Sequence, residues 1–505
     1  MRLQSALLIL AIPLALTIPL LPFIVNGAPY IGDAWVHLRI AEETVSRGQY
    51  RFGDYNTQWP LVNMLIAVAI LVQGMSPLMA SQIVPALAGM ACLPFYVLCR
   101  KMRLSALTSL FGVVFLSFNP LYTYFTFSGA VMKETASYYL VLSLLMFASL
   151  KTSKLKEGYL AGVLLGVGLV LGHHFAAMIV ALFFLSLAAY RVAEKLTGKR
   201  GELKLLGSIG ATYLLLFVIR NLIIYQSIGA WIPEFTFSDL LILSSCLVFV
   251  WILGFSETKG LLALRVVIAS ATFVICLLFL RGGVLAVLTP TDPMTISELR
   301  NYVVAGAVSI SGLVYALKKA EARSLAVPAV GWVLFAFIFS LTEEGLIVFT
   351  KALHYFGVLL AIGAAYAASV VSRRFRMGKI IILLVVIFLT YSSFFGTAIA
   401  LRGLGAYSIS EIASVKEVIP QVDGISVHGD VKISYLWSYL TKGKSGVASI
   451  MSLPKRGELM IVMSSNRQTG FLLGYQWASS EAVLQRLVRY NVVVNSPDIA
   501  VLAVV

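Results

Sequence analysis

A short polar stretch directly follows the first hydrophobic segment of the chain. Positions 32–39 read Gly-Asp-Ala-Trp-Val-His-Leu-Arg. A carboxylate close to the end of a membrane segment is expensive to hold at the lipid boundary, so Asp33 is predicted to have a chemical task, such as activating an acceptor. A helix cap, or an ion pair with Arg39 six residues further on, is the structural alternative.

Two further acidic residues lie in polar segments between hydrophobic ones. Glu134 begins a hydrophobic segment, where a negative charge also favours the helix dipole. Glu298 ends the sequence Thr-Ile-Ser-Glu, which also fits a capping box before a helix. A divalent metal site built from oxygen ligands needs several anionic groups, and the ammonium of Lys133 beside Glu134 opposes one. The lysine can instead stabilise an anionic leaving group, so metal-independent chemistry is favoured. Mn²⁺ or Mg²⁺ held by Asp33, Glu134 and Glu298 is the alternative.

Basic residues near the ends of other hydrophobic segments are candidates for binding an anionic group. Lys351 and His354 are three residues apart, hence on one face of a helix. Arg220 lies inside a hydrophobic segment, where a guanidinium requires an anionic partner. The same predicted group includes Lys133, Arg39 and Arg300. Ion pairs with neighbouring acidic residues are the structural alternative: Glu234, Glu343 and Glu344.

Histidine and cysteine give no strong sign of a transition-metal site. His173 and His174 could contact a phosphate or a metal, but adjacent residues of a helix point in different directions, which disfavours a shared metal. The 4 cysteines contain no Cys-x-x-Cys pair and lie in or beside hydrophobic segments, as small core residues do.

The composition identifies a membrane protein. Of 505 residues, 59% are hydrophobic and 12% are charged, and the mean hydropathy is +0.90. Repeated apolar runs of roughly 20 residues predict a helical bundle. Only helices and closed barrels satisfy the backbone hydrogen bonds within lipid, and runs of this length fit helices. The net charge of +16 is distributed in clusters between apolar segments, which fixes topology and argues against binding nucleic acid.

The apolar runs predict about thirteen transmembrane helices. They are 5–25, 78–99, 105–126, 134–150, 158–172, 175–190, 205–225, 239–254, 261–280, 301–317, 325–341, 345–371 and 379–400. All basic clusters fall on one side only if the apolar run 61–73 does not cross, so this run is predicted to be an interfacial or re-entrant helix. The N-terminus is then cytoplasmic. The loops 26–77 and 281–300 and the C-terminal tail are outside.

The composition changes after residue 400. The remainder, 401–505, mixes polar and apolar positions, with short strand-like runs at 424–427, 459–463 and 490–494 and helical periodicity near 408–419 and 479–489. A membrane domain of residues 1–400 followed by a small external α/β domain is therefore predicted. No internal repeat is visible, which disfavours transporter folds built from repeats.

The first external loop resembles that of oligosaccharyltransferase catalytic subunits, which are GT-C-type membrane glycosyltransferases. The resemblance is carried by Asp33, Trp35 and Arg39, followed by Gly48, Tyr50, Trp59 and Pro60. The segment 295–298 is similar to the Thr-Ile-x-Glu motif of bacterial members, and Glu134 occupies one position of an acidic pair that helps bind a metal in the family. About thirteen spans with an external C-terminus also match the family layout.

The resemblance implies transfer of a sugar or oligosaccharide from a polyprenyl-phosphate carrier at the outer face of the membrane. Asp33, Glu134 and Glu298 would be catalytic, and the cations would hold the lipid phosphate. The acceptor, a protein or another glycoconjugate, would contact Trp35 and Asp430. The family motif Trp-Trp-Asp reads His-Gly-Asp here, so recognition of a sequon is in doubt. A true protein N-glycosylating enzyme and a transporter of lipid-linked glycans are the alternatives.

Overall fold

The structure is a computed structural model. It describes residues 12–117 (apart from 14 and 31), 129–149, 155–196, 204–228, 345–385, 406–442 (apart from 423), 447–449, 455–473, 476–487 and 490–503, with isolated positions between 309 and 387. The predicted spans 239–254 and 261–280 lie outside the described residues, as do most of 301–317 and 325–341. The segment 281–300, with Glu298 and Arg300, also lies outside them.

Helices dominate the first part of the chain. A 3₁₀ turn, Ile18–Leu20, leads into α1, and two helices in the predicted external loop follow. The helices are α1 (Leu21–Asn26), α2 (Asp33–Arg47), α3 (Leu61–Gln73), α4 (Pro77–Ser81), α5 (Ile83–Met90), α6 (Cys92–Lys101), α7 (Ala106–Ser117), α8 (Lys133–Ser149), α9 (Leu155–Gly172), α10 (His174–Leu196), α11 (Lys204–Ile228) and α12 (Gly345–Arg374). Helices α8 to α12 coincide with predicted spans to within a few residues.

Two helical stretches in the described part of the chain are long and apolar enough to cross a membrane. They are Pro77–Lys101, which comprises α4 to α6, and His174–Val192 within α10. The apolar helices Leu61–Gln73, Ala106–Ser117, Gly158–Gly172 and Ile209–Ile224 are shorter. The number of thirteen spans therefore remains a prediction.

The C-terminal residues form a small α/β domain, with strands and helices close to the predicted positions. Its elements are α13 (Ile409–Val418), β1 (Val427–Gly429), α14 (Val431–Leu440), β2 (Val447–Ser449), β3 (Leu459–Met463), α15 (Ser464–Thr469), β4 (Phe471–Leu473), β5 (Gln476–Ala478), α16 (Ser480–Leu487), β6 (Asn491–Asn495) and β7 (Ile499–Ala503). A capping box starts α13: Ser408 accepts a hydrogen bond from the Glu411 amide, and the Glu411 carboxylate accepts one from the Ser408 amide.

The main sheet is mixed and has the strand order β2-β1-β3-β7-β6. Strand β1 pairs in parallel with β2 and β3, whereas β3, β7 and β6 are antiparallel. Leu459 faces Ala503 and Met463 faces Ile499 across the β3–β7 ladder. Strands β4 and β5 form a separate antiparallel pair.

Helices α2 and α3 share one hydrophobic core with the C-terminal domain. Trp35 and Leu38 of α2 and Val62 and Ile66 of α3 are buried in it. From the C-terminal domain the core contains Tyr407, Val415, Val427, Ile433, Leu436, Trp437, Ile461 and Val501. The bundle helices α6 to α12 have a second core of their own. This packing associates α3 with the C-terminal domain, and the interfacial position of 61–73 remains a prediction.

The helix α3 ends at a residue in the left-handed conformation after thirteen residues. Gly74 adopts φ +64°, and its amide bonds the Ile70 carbonyl. One exposed stripe of the helix is apolar, with Val68 and Val72 on it. A thirteen-residue helix is about 20 Å long, which is too short for a hydrocarbon core of about 30 Å.

A labelling experiment checks this topology. We expect single cysteines at Gln49 and Gln73, in a chain without its 4 natural cysteines, to react equally with a membrane-impermeant maleimide added from outside. Both side chains are exposed and lie near the two ends of the predicted external segment. A cysteine at Arg376, on the predicted cytoplasmic side, is the control that should react only after the membrane is permeabilised. Reaction of only one of the first two positions would mean that α3 crosses the membrane.

Candidate active site

The starts of α2 and α8 are held side by side by a backbone bridge. Tyr30 and Ala130 pair in parallel, and the Val131 amide donates to the Tyr30 carbonyl at 3.4 Å. Asp33 and Lys133 each follow a bridged residue by three positions. The bridge thus brings two segments about 100 residues apart in sequence to one place, with their charged side chains in the first turns of two neighbouring helices.

Asp33 is half-buried in the first turn of α2, where a carboxylate is favoured by the helix dipole. Burial raises the pKa of Tyr407 well above its usual range, and the nearby carboxylates of Asp430, Asp33 and Glu411 add to this. Asp33 therefore lies near the junction with the C-terminal domain.

Lys133 is buried, although it carries a charged ammonium. Its Nζ donates to Asn56 Oδ1 at 2.9 Å and lies 3.8 Å from the centre of the Tyr55 ring. Both partners come from the loop between α2 and α3. A buried ammonium is stable only where hydrogen-bond acceptors and aromatic faces surround it. The loop therefore stabilises a fixed positive charge at the start of α8.

Glu134 is buried next to Lys133 and contacts His173, which lies between α9 and α10. Its Oε1 lies 3.2 Å from His173 Nε2. The Ala176 amide donates to His173 Nδ1 at 3.4 Å, which assigns the proton of a neutral imidazole to Nε2, facing the carboxylate. The position of His173 between α9 and α10 thus ties the start of α8 to the adjoining helices.

His173 and His174 differ from the sequence-based expectation. Their ring centroids are only 4.3 Å apart, whereas adjacent helical residues were expected to diverge. The reason is that His173 lies in the break between α9 and α10, where the chain is not helical. His174 also lies 5.2 Å from the Trp59 ring and 5.9 Å from the Tyr55 ring. The pair therefore forms part of an aromatic wall beside Lys133.

Arg220 of α11 binds the same loop from another side. Its guanidinium donates to the Gln58 carbonyl and lies 3.4 Å from Gln58 Oε1. The guanidinium carbon is 5.8 Å from the Trp59 ring and 5.9 Å from the Phe52 ring. These contacts give Arg220 a role in holding the loop. Its partner Gln58 is neutral, whereas the sequence predicted an anionic one. Contact of Arg220 with a phosphate remains a prediction.

A buried polar group that the sequence did not single out connects α2 with this loop. His37 Nδ1 lies 2.7 Å from Asn63 Oδ1, and Asn63 Nδ2 donates to the Tyr50 hydroxyl at 2.9 Å and to the Asn56 carbonyl at 3.2 Å. Burial, together with the positive charge of Lys133, lowers the pKa of His37 from 6.5 to about 4. His37 is consequently neutral at physiological pH. An asparagine in an otherwise apolar helix was the available signal.

Several predicted site residues can be placed only in part. Glu298 and Arg300 lie outside the described residues. Lys351 and His354 fall within α12, but their side chains also lie outside what the structure describes. Arg39 is half-buried on α2, and its Nε is buried without a hydrogen-bond partner among the described residues.

The predicted metal ligands are described only in part, because Glu298 lies outside the described residues. Within the described part of the chain, no three residues of His, Cys, Asp and Glu come together in a way that could hold an ion. The Glu134 carboxylate contacts His173, and its sequence neighbour is a buried ammonium. Independence from a metal therefore remains a prediction.

The two predicted acceptor residues are both buried at the junction with the C-terminal domain. The Asp430 carboxylate caps α14 through the Ile433 amide at 3.1 Å and accepts from Asn466 Nδ2 at 2.6 Å. Trp35 lies with its ring centroid 5.3 Å from that of Tyr407 and 5.2 Å from that of Tyr439. These contacts give both residues structural roles, and their contact with an acceptor remains a prediction.

A buried ion pair holds the neighbouring part of the C-terminal domain. Lys432 Nζ lies 4.0 Å from Glu411 Oε2 and donates to Ser465 Oγ at 2.5 Å. Burial opposes ionisation of Glu411, but the Lys432 ammonium and the hydrogen bonds from Ser465 and Ser408 outweigh it, so the pKa of Glu411 is lower than usual. The Tyr407 hydroxyl donates to the Lys432 carbonyl at 3.0 Å, which connects this pair to the shared core.

Solved structures of an archaeal oligosaccharyltransferase have a similar fold. The apo enzyme of Archaeoglobus fulgidus matches with a TM-score of 0.60 and 13% identity, over 93% of this chain and 70% of that one. Its complex with Zn and sulfate matches with a TM-score of 0.55 and 16% identity, over 86% and 61%. The same organism's enzyme AglB, with an inhibitory peptide and a dolichol-phosphate, matches with a TM-score of 0.51 and 13% identity, over 87% and 63%.

These comparisons establish the fold. The predicted resemblance to oligosaccharyltransferases is confirmed at that level, and the chain spans 61 to 70% of the length of the three chains. No family model and no curated protein sequence matches this chain.

The buried neutral state of His37 predicts a pH-dependent stability. The unfolded chain binds a proton at His37 below pH 6.5, whereas the folded protein does so only near pH 4. Since the unfolded state binds more protons in this interval, the free energy of unfolding should fall by about 3 kcal/mol as the pH is lowered from 6.5 to 4. Thermal unfolding in detergent should show this loss for the wild type and a flatter profile for His37→Asn. Parallel profiles would contradict the buried neutral imidazole.

Proposed function

We propose that this chain is a GT-C-type membrane glycosyltransferase that transfers a sugar or oligosaccharide from a polyprenyl-phosphate-linked donor to an acceptor on the extracytoplasmic face. The observation that carries the proposal is the fixed positive charge of Lys133 at the start of α8. The Tyr30–Ala130 bridge holds the start of α8 beside the start of α2, where Asp33 lies. The fold of an oligosaccharyltransferase supports the same conclusion.

Asp33 is the proposed base, or the carboxylate that orients the acceptor. It is half-buried and lies near the junction with the C-terminal domain. An ionised carboxylate in that position can accept a proton from, or a hydrogen bond of, the attacking group. Glu134 and Glu298 are proposed to shape the site, with Glu134 kept in place by His173.

Lys133 is the proposed cation for the leaving phosphate. As the bond between the sugar and the phosphate breaks, negative charge develops on the phosphate oxygens, and a preorganised ammonium stabilises it without having to reorganise. The loop fixes this ammonium, which is what preorganisation requires. Arg39, Arg220, Arg300, Lys351 and His354 are proposed as additional phosphate contacts. The dolichol-phosphate in the AglB structure supports a lipid phosphate as the ligand class.

Chemistry without a metal is favoured for this chain. Lys133 supplies a positive charge next to Glu134, where it opposes the binding of a cation. One structure with a similar fold carries Zn and sulfate, so Mn²⁺ or Mg²⁺ dependence is the outcome to test against. Loss of activity with EDTA, restored by Mn²⁺, would overturn the metal-independent proposal.

The acceptor is proposed to be a protein or glycoconjugate that is recognised without a standard Asn-x-Ser/Thr sequon. The Trp-Trp-Asp motif is absent, and Asp430 is occupied as a helix cap. Protein N-glycosylation is the second candidate because the matched structures are of an oligosaccharyltransferase. Transfer to a peptide containing Asn-x-Ser/Thr would distinguish the two. The composition and the fold support a multi-pass membrane location, with a cytoplasmic N-terminus and an external C-terminal domain.

Substitution of the proposed base is the first test of this function. We expect cells carrying Asp33→Asn to accumulate a lipid-linked sugar and to lack one glycoconjugate, both measured by mass spectrometry at equal protein levels. The amide keeps the size of the side chain but cannot take a proton. Glu481→Gln, an exposed site on α16, is the matched control. Identical profiles, in a host without a second such enzyme, would refute a catalytic role for Asp33.

Removing the fixed positive charge should impair transfer without unfolding the protein. We expect Lys133→Met to lower the transfer rate at least tenfold, because about 1.4 kcal/mol of lost charge stabilisation already has that effect. Methionine keeps most of the buried apolar stem. Lys133→Arg should retain part of the rate, and Lys416→Gln, at an exposed position, should behave as the wild type. A Lys133→Met enzyme of full activity would exclude Lys133 from the phosphate site.

A further inference from the structure

One buried side chain, Asn63, connects the helix of Asp33 with the loop that holds Lys133. We propose that Asn63 is a positioning residue of the reaction, fixing the Lys133 ammonium relative to α2. The inference rests on the proposed function, since it assigns Asn63 a task only if Asp33 and Lys133 act on the same substrate.

The contacts of Asn63 use both ends of its amide. Oδ1 lies 2.7 Å from His37 Nδ1, and Nδ2 donates to the Tyr50 hydroxyl at 2.9 Å and the Asn56 carbonyl at 3.2 Å. The residue is 0% exposed, so water does not compete for these bonds. Because Nδ2 has two acceptors, the oxygen must face His37, which then donates its Nδ1 proton.

From Asn63 the connection reaches Lys133 through a single residue. Asn56 receives the Asn63 amide at its backbone carbonyl and the Lys133 ammonium at its side-chain Oδ1. The loop is further closed by Tyr50, whose hydroxyl donates to the Thr57 carbonyl at 2.8 Å. Burial raises the pKa of Tyr50 to about 12, so this hydroxyl keeps its proton. A displaced Asn63 would therefore release the acceptor that orients Lys133.

In the other direction the connection reaches the helix of the proposed base. His37 lies one turn after Asp33 on α2. Trp35 and Leu38, on either side of His37, are buried in the core shared with the C-terminal domain, which keeps the helix from rotating. Asn63 thus connects a fixed helix to a loop that has no strand or helix of its own between 48 and 60.

Only an amide meets the requirements at position 63. Aspartate cannot donate to Tyr50 and Asn56, and its charge would lie beside the His37 ring. That ring is neutral because it is buried and because Lys133 and His173 oppose a positive charge, while the Glu134 carboxylate favours one. A second carboxylate at 2.7 Å would raise the pKa of His37 and allow it to bind a proton in mildly acidic conditions.

The test is the pH dependence of transfer for Asn63→Asp. Membranes from expressing cells, with their endogenous lipid-linked sugars, are assayed from pH 7.5 to 5.5 by mass spectrometry of the donor and product that Asp33→Asn identifies. We expect the variant to lose at least tenfold at pH 7.5 and a further threefold or more towards pH 5.5, where the wild type is constant. The double variant His37→Asn/Asn63→Asp should lose the acidic decline, because asparagine retains the donor and cannot titrate.

The controls separate this inference from the proposed function. Asn491→Asp makes the same change on an exposed strand of the external domain and should match the wild type. If the wild type and Asp33→Asn give equal profiles, the catalytic role of Asp33 fails, and the role of Asn63 fails with it because it depends on Asp33. If the profiles differ but Asn63→Asp matches Asn491→Asp, only the role of Asn63 fails. Should Asn63→Asp not accumulate, Asn56→Ala decides: a tenfold loss with an unchanged pH profile supports the connection, and full activity overturns it.

Discussion

The burial of the Lys133 ammonium is the constraint around which this site is arranged. A charge removed from water must find partners, or the fold would favour a neutral residue there. Asn56 and the ring of Tyr55 are those partners, and both lie in the loop after α2. That loop has to follow a particular path to present them, which explains its internal hydrogen bonds and its attachment by Arg220. The polar residues at 50–63 can thus be understood as the support of one positive charge.

The same loop lies between the bundle core and the core shared with the C-terminal domain. Helix α8, with Lys133 and Glu134, contributes to both: Tyr138 lies in the bundle core, whereas Ala136 lies in the other with α2 and α3. The candidate site therefore lies where the helical bundle and the C-terminal domain meet. Its geometry depends on both, and Trp35 contacts Tyr407 and Tyr439 on the side of the C-terminal domain.

Local patterns in the sequence were sufficient for most elements. Alternation and apolar periodicity predicted β3, β6, α13 and α16, because burial of one face produces a periodic pattern of apolar residues. Continuous apolar runs predicted α8 to α12, because these helices are apolar on all sides. Asp33 and Glu134 could be proposed as site residues because charge at a membrane boundary is rare. No local pattern in the sequence predicts the connection from His37 through Asn63 to Lys133, because its hydrogen bonds join residues 26 and 77 positions apart. The break before α10 and the burial of Asp430 were missed for the same reason, because each depends on tertiary neighbours.

Gly32 shows how closely the C-terminal domain approaches the start of α2. A Cβ at position 32 would lie 2.5 Å from the Tyr435 ring and 3.3 Å from the Tyr407 hydroxyl, both in the C-terminal domain. Even an alanine at the residue before Asp33 would therefore displace the Tyr435 ring. The size of a side chain at the start of α2 is thus limited by residues about 400 positions further along the chain.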